Sequence, residues 1–509
     1  MNKFLTAILI LFLCAFTGGS VFAQEYPDTD YNAEDVFEGS DDGFGAFGFG
    51  DMDDGVSGGG RFSFKMAGEI NTALRLFIND FGSWDSFKEM ELGDIVSGKL
   101  GFTVSGKITD AVFNVKIIPN FSLRSPILID ETYLRFYLGP VDIEAGIRKL
   151  TWGKADSFGP LDIINPVDYS DLSAIGDPLS IKMARPMLHV NWNIGKFSKL
   201  EGVFVPWFEG YKFASSGRWA PEQMAALPEL IRQDLVDYIS NESGLGATLQ
   251  NIFLNRINEE FENLAYDPAA FYPDTGKLKY AQGGLRFSTS LGPLDLGVQY
   301  YFGRMPRPAF TVDLEGFKSL LTLAAILNPP GMDDIYFFVD FNTYHHIGID
   351  YAQVIAGFNV RAELGANITG DLAGDDGNVY NPQIVWSFGF DRDLFWGINL
   401  NLQANGLVRL MHKKIGSDPL SDTEAGAKPS STRITALLTK KFLQDRLEAS
   451  ATILWGIEDM DFLIIPGILW SMNDINVGLS MGFFGGRRSG ELGQYRGNSY
   501  VKASAGWSF

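Results

Sequence analysis

The sequence predicts an all-β fold: an antiparallel transmembrane β-barrel of about 16–18 strands, with short turns on one rim and long loops on the other. Three observations lead there. From Arg61 onward, segments of about ten residues alternate apolar with polar positions, as strands with one greasy face must. The connections between them alternate between short and long. Beyond residue 23, no apolar run approaches the ~18–20 residues that a membrane-spanning helix requires.

The first element is a leader. One lysine, an apolar run from Phe4 to Phe16, small residues and Val21-Phe22-Ala23 read as a secretory signal peptide, residues 1–23, cut after Ala23. Its Cys14 is the only cysteine of the chain, and Leu13 before it does not suit a lipoprotein signal. The exported chain is therefore expected to have no disulfide, thiolate metal site or cysteine nucleophile. Residues 24–60 carry eleven Asp and Glu without a Lys or Arg, are rich in Gly and show no periodicity. They read as a flexible acidic leader. Gly43, Gly45 and Gly48 match a dinucleotide-binding spacing, but no strand precedes them and the surrounding carboxylates would repel a pyrophosphate.

The barrel is expected over residues 61–509. Leu134, Phe136 and Leu138 alternate with Tyr133, Arg135 and Tyr137, and Val141, Ile143, Ala145 and Ile147 with Asp142, Glu144, Gly146 and Arg148. Trp396, Ile398, Leu400 and Leu402 oppose Asn399, Asn401, Gln403 and Asn405, and Ile475, Val477, Leu479, Met481 and Phe483 oppose Asn476, Gly478, Ser480 and Gly482. The last segment sets Val501, Ala503, Ala505, Trp507 and Phe509 against Lys502, Ser504, Gly506 and Ser508.

Long connections fall near 79–94, 120–129, 151–182, 209–279, 304–340, 370–381, 412–430, 457–461 and 486–494. Short ones fall near 107–110, 138–140, 195–198, 291–293, 352–356, 391–393, 443–445 and 471–474. That pattern gives about 18 strands with both ends on the short-turn, periplasmic rim. The expected place is the cell outer membrane, with its lipid as partner.

A barrel of this size encloses water unless loops fill it, so the inward residues decide what it does. Strand parity puts Lys65, Glu69, Arg75, Lys99, Lys116, Glu131, Arg135, Asp142, Glu144 and Arg148 inward. Lys99, Lys116 and Arg148 stand at similar heights above short turns. They either form a basic ladder that selects anionic solutes or pair with Glu131, Asp142 and Glu144 in a hydrated wall.

The stretch RKLTWGKADSFGPLDIINPVDYSDLS combines turn formers with apolar residues, and reads as a compact loop, 151–182, folded into or over the mouth. Its W-G-x-x-D and D-x-x-N-P-x-D pattern, at Trp152, Gly153, Asp156, Asp162, Asn165, Pro166 and Asp168, resembles a porin-like outer-membrane barrel family of unknown function, distantly similar to alginate-export and long-chain substrate porins. The resemblance covers about 146–171, with a weaker echo in PWFEGYKFASSGRWAP. It implies a channel fold, and Phe509 as the terminal aromatic that the barrel-assembly machinery reads. Trimers are common among porins, so a homo-oligomer is compatible with it.

Between 209 and 279, two helical stripes stand out within an external insertion at about 219–266. Leu227, Leu230, Ile231, Leu235 and Ile239 form one, with Pro221 and Pro228 constraining its start, and Leu249, Ile252, Phe253, Ile257 and Phe261 the other. They suit a lid or rim packing better than a partner site. A shorter helix is expected over 314–327.

Little supports an enzyme. His346 and Asp350 would face inward without a serine motif, and Asp371, Asp375 and Asp376 miss the spacing of a calcium loop. The net charge of −21 excludes a nucleic-acid partner. No metal or cofactor is implied. The expected function is a channel for passive or weakly selective passage of small polar solutes, partly occluded by loop 151–182. The alternative is a surface adhesin or receptor using the long external loops.

Overall fold

The alternation of faces closes a sheet on itself. The computed structural model describes residues 62–78, 96–117, 127–262, 272–320 and 336–509. The expected signal peptide, the acidic leader with Gly43–Gly48, all of loop 79–94, most of loop 120–129 and the last residues of the helix expected over 314–327 lie outside the described residues.

Along the chain the strands are β1 Ser63–Phe77, β2 Val96–Ser105, β3 Thr109–Ile117, β4 Ile127–Leu138, β5 Val141–Arg148, β6 Asp168–Tyr169, β7 Arg185–Ile194, β8 Ser198–Val205, β9 Lys212–Phe213, β10 Gln282–Leu291 and β11 Leu294–Arg304. They continue as β12 Ala309–Asp313, β13 Tyr336–Asp340, β14 Thr343–Ile355, β15 Phe358–Thr369, β16 Gln383–Asp393, β17 Ile398–Arg409, β18 Ser430–Phe442, β19 Leu447–Gly456, β20 Asp461–Met472, β21 Ile475–Gly486 and β22 Tyr500–Ser508. Eighteen of them form one antiparallel sheet. β22 lies between β21 and β1, with Phe77↔Tyr500 and Glu69↔Ser508 in register, so the sheet is a closed barrel without a free edge.

The period of two decides which side chains meet lipid. Leu134, Phe136 and Leu138 on β4, Ile347 and Ile349 on β14, Val477 and Leu479 on β21 and Trp507 on β22 are exposed on the outer face. Their inward neighbours are polar or buried. An apolar exterior around a closed antiparallel barrel makes this an outer-membrane protein. Among the described residues no helix is long and apolar enough to cross a membrane.

Two boundaries move. The turn expected at 391–393 lies at 394–397, because β16 continues through Asp393. Trp396, expected on a strand, has φ 63° there and is 84% exposed. The strand before the turn expected at 352–356 runs to Ile355.

The helical insertion forms as α1 Glu222–Asp237 and α2 Ala247–Glu262, with α3 Leu314–Leu320 after β12. Pro221 precedes the first turn of α1, and Pro228 sits inside the helix rather than at its start. Ile231, Leu235, Ile239, Phe253 and Ile257 bury against one another and against Val312, Leu314, Phe317 and Leu420. Leu230 and Ile252 of the expected stripes point out to solvent.

Candidate functional site

Segment 149–184 leaves the long-loop end of β5 and returns to β7 after touching the opposite wall. Its neck is tied by Asn165. The side-chain oxygen accepts the Leu150 N–H (2.8 Å), and the amide nitrogen donates to the carbonyls of Arg148 (2.9 Å) and Met183 (2.8 Å). Lys182 Nζ donates to Asp162 Oδ2 (2.5 Å) and Thr151 Oγ1 (2.7 Å). Burial pushes the Asp162 carboxyl above its ordinary range, against the pull of Lys182. Pro166, buried, presents its carbonyl to Met183 N–H (2.8 Å).

Trp152 anchors the near side. It is 1% exposed and meets Tyr301 of β11 edge-on, with centroids 6.2 Å apart. Gly153 follows with φ 100°, and a Cβ there would collide with the carboxylate of Glu363 on β15. That close approach lets Glu363 collect backbone N–H groups from Lys154, Ala155 (2.8 Å) and Leu161 (3.3 Å). Gln403 of β17 accepts from Asp156 and Ser157 N–H (3.1 and 3.2 Å), and Gln299 of β11 donates to the Leu161 carbonyl (2.9 Å). Asp156 itself pairs with Arg361, which also holds Asp391 (2.7 Å).

The second half of the segment docks elsewhere. Arg75 of β1 binds Asp171 (2.5 Å) and Ser173, and Tyr500 donates to the Ser173 carbonyl (3.0 Å). Leu172, Ile175 and Ile181 pack on Phe77, Leu454, Leu463, Phe484 and Tyr500, together with Trp219 and Tyr495 from other loops. A hydrophobic core thus lies inside the barrel, between wall and loop.

Beside the segment, inward polar residues form a row of alternating charge. Arg135 (2.6 Å), Arg148 and His189 (2.8 Å) converge on Glu144. His189 also reaches Glu201 (3.4 Å), Arg286 lies 3.9 Å from Glu201 and pairs with Asp350 (2.7 Å), and Gln299 accepts from Arg286 (2.8 Å). Glu144, Arg148, His189, Glu201, Arg286 and Asp350 are all buried. Unpaired, each of the carboxylates and guanidinium groups among them would cost several kcal/mol of desolvation, about 3–5 kcal/mol on loss of a partner.

The other inward residues expected from parity are placed as follows. Lys99 and Lys116 stand directly opposite one another on β2 and β3, and Lys99 lies 3.5 Å from Glu69. Glu131 accepts the Lys149 N–H (2.9 Å). Asp142 shares the inward parity of Glu144, and Lys65 is exposed on β1 toward the short-turn rim. Sequence reasoning missed His189 as a partner of Glu144 and Gln403 as an anchor of the folded segment, and Glu201, Arg286, Gln299 and Glu363 altogether. The available signal was a mid-strand polar residue of inward parity on consecutive strands.

Toward the long-loop rim, Asp168 binds Lys212 Nζ (3.0 Å), and β6 and β9 pair in parallel. Tyr169 stacks on Phe213 (5.7 Å) and meets Tyr211 edge-on (5.2 Å). Glu491, from the loop between β21 and β22, binds Arg307 (2.7 Å) through one oxygen and Arg433 (2.8 Å) through the other. The Arg433 guanidinium, helped by Arg307 and opposed by desolvation, holds the Glu491 carboxyl down at about 2.

His346 and Asp350 face inward as expected, but His346 binds Asn367 (2.8 Å) and Asp350 binds Arg286. Asp371 accepts the N–H groups of Gly374 (2.8 Å) and Asp376 (3.0 Å), as a turn cap does. Among the described residues no group of three or more His, Cys, Asp or Glu is placed to hold a metal.

No protein-family model matches the chain, and no curated protein matches it by sequence. Among solved structures it is similar to the outer-membrane protein opdK of Pseudomonas aeruginosa, at 8% identity and a TM-score of 0.42, over 88% of this chain and 99% of that one. It is also similar to the Escherichia coli outer-membrane protein Wzi, at 10% identity and a TM-score of 0.41 over 87% and 84% of the two chains. A third likeness is the outer-membrane channel DcaP of Acinetobacter baumannii, at 8% and 0.38 over 88% and 97%.

Proposed function

We propose that the protein is a porin-like channel for small polar solutes, narrowed by segment 151–182 folded into its barrel. The observation that carries the reading is the pair of inward wall side chains, Glu363 and Gln403, that accept backbone N–H groups of residues 154–157 and 161. A surface loop would leave those groups to water. Wall residues that hold a loop's backbone instead make that loop part of the lumen. The inward charges of β1–β5 line the wall of the passage, with Lys99 beside Lys116 toward its long-loop end, and Phe509 serves as the assembly signal.

The receptor reading finds less support, because the main apolar residues of α1 and α2, Ile231, Leu235, Phe253 and Ile257, are covered by each other and by α3. Planar-bilayer recording of the refolded native chain and of a deletion of 156–177 tests the channel. Steady conductance that rises in the deletion is the expected result. A barrel closed in both forms sinks the reading.

A further inference from the structure

We propose that Arg307 and Arg433 form an anion site in the passage, filled at rest by the chain's own Glu491, and that small carboxylate solutes cross by exchanging with that side chain. The inference rests on the channel reading and names its selective site.

Where the three residues come from places the site. Arg307 lies just after β11, Arg433 near the long-loop end of β18 and Glu491 between β21 and β22, while Tyr169 and Tyr380, in electrostatic reach of Arg307, come from the folded segment and from the approach to β16. These attachment points are spread around the barrel. Side chains rooted on such different arcs of the wall meet over the lumen, where a solute has to pass.

The geometry is that of a bound anion. Each oxygen of Glu491 takes one guanidinium, at 2.7 and 2.8 Å. Two cations thus face one carboxylate, and Nε of Arg433 is buried with no acceptor. An incoming carboxylate can reproduce the same charge-assisted bonds.

Exchange is open because the bridge is wet. The side chains of Arg307 and Glu491 are 54% and 46% exposed, though protein surrounds them. A solute carboxylate reaches the two guanidinium groups through that opening and replaces Glu491 by matching its charge-assisted bonds. The backbone need not move: Asp461 accepts the N–H groups of Leu492 (2.6 Å) and Gly493 (3.2 Å), which keeps the loop in place while the Glu491 side chain swings.

The test compares the native chain, E491Q, the double variant R307Q/E491Q and the control E222Q, which removes an exposed carboxylate at the start of α1 that pairs with Arg488 (2.8 Å) of the Glu491 loop and touches neither Arg307 nor Arg433. Reversal potentials in a potassium chloride gradient read permeability, and calorimetric titration with succinate in detergent reads binding. E491Q is expected to raise the chloride-to-potassium permeability ratio roughly threefold or more and to bind succinate more tightly than the native chain. R307Q/E491Q is expected to lose both gains, and E222Q to match the native chain. An unchanged ratio in a conducting E491Q barrel overturns the inference. So does an E491Q barrel that binds succinate no better than R307Q/E491Q. Succinate binding in the expected order in barrels that never conduct would support the anion site and overturn the channel reading.

Discussion

A single amide carries the neck of the folded segment. Asn165→Ala removes three hydrogen bonds and strands a buried N–H and two carbonyls, at about 1–3 kcal/mol for each group left unpaired. The barrel strands are untouched, so the expected outcome is protease cleavage within 151–182 while the β-sheet circular dichroism signal persists. Trp152→Ala acts at the other anchor, with a cost of about 3–5 kcal/mol in local docking, and is expected to give the same cleavage. A second residue-scale test concerns the seam. Phe509 exchanges backbone hydrogen bonds with Gly68 (2.8 and 2.9 Å), and its ring occupies the place where a Cβ of residue 68 would stand. Gly68→Val keeps Phe509 yet evicts its ring. Its heat-modifiable gel mobility is therefore expected to shift to lower temperature, which a role for Phe509 in assembly alone does not predict.

At the scale of elements, α1, α2 and α3 form a core of their own outside the barrel. Leu235 is fully buried there. Leu235→Asp places an unpaired carboxylate in that core, a cost of several kcal/mol, while no barrel strand loses a contact. Limited proteolysis is expected to open the chain within 219–266 and leave the heat-modifiable barrel intact. The four-residue spacing of Ile231, Leu235 and Ile239, and of Phe253 and Ile257, made both helices legible in sequence. Their packing against Val312 and Leu420 was not legible, because Val312 lies on β12 and Leu420 in a distant loop, with no shared period. The strands were legible for a similar reason: lipid on one side and polar contacts on the other impose a period of two on every one of them.

For the whole molecule, pH gives a test with a definite sign. The Glu491 carboxyl is depressed from 4.5 to about 2, so its contribution is complete above the ordinary carboxylate range and is lost as pH falls through about 2. The bridge to Arg307 and Arg433 therefore stays charged throughout neutral and mildly acid solution. The difference in reversal potential between the native chain and E491Q, which isolates this carboxylate from the others of the lumen, is expected to be flat from about pH 7 down to about pH 4. A sharp change between pH 6 and pH 4, roughly where unperturbed carboxylates titrate, would contradict the geometry.

The chain alone determined the barrel, its alternating rims, the helical insertion and the segment that carries Trp152, Gly153 and Asn165. Each of those is a local pattern, set by a period of two, a period of 3.6 or the turn preferences of neighbouring residues. What the segment binds depends on the closed barrel. Glu363 lies 209 residues from Lys154, and Gln403 lies 247 residues from Asp156. Nothing in the local sequence marks such partners, because closing the sheet brings together residues whose separation along the chain carries no period. The same closure sets Glu491 between Arg307 and Arg433, three side chains from three loops or strand ends that meet only once the barrel exists.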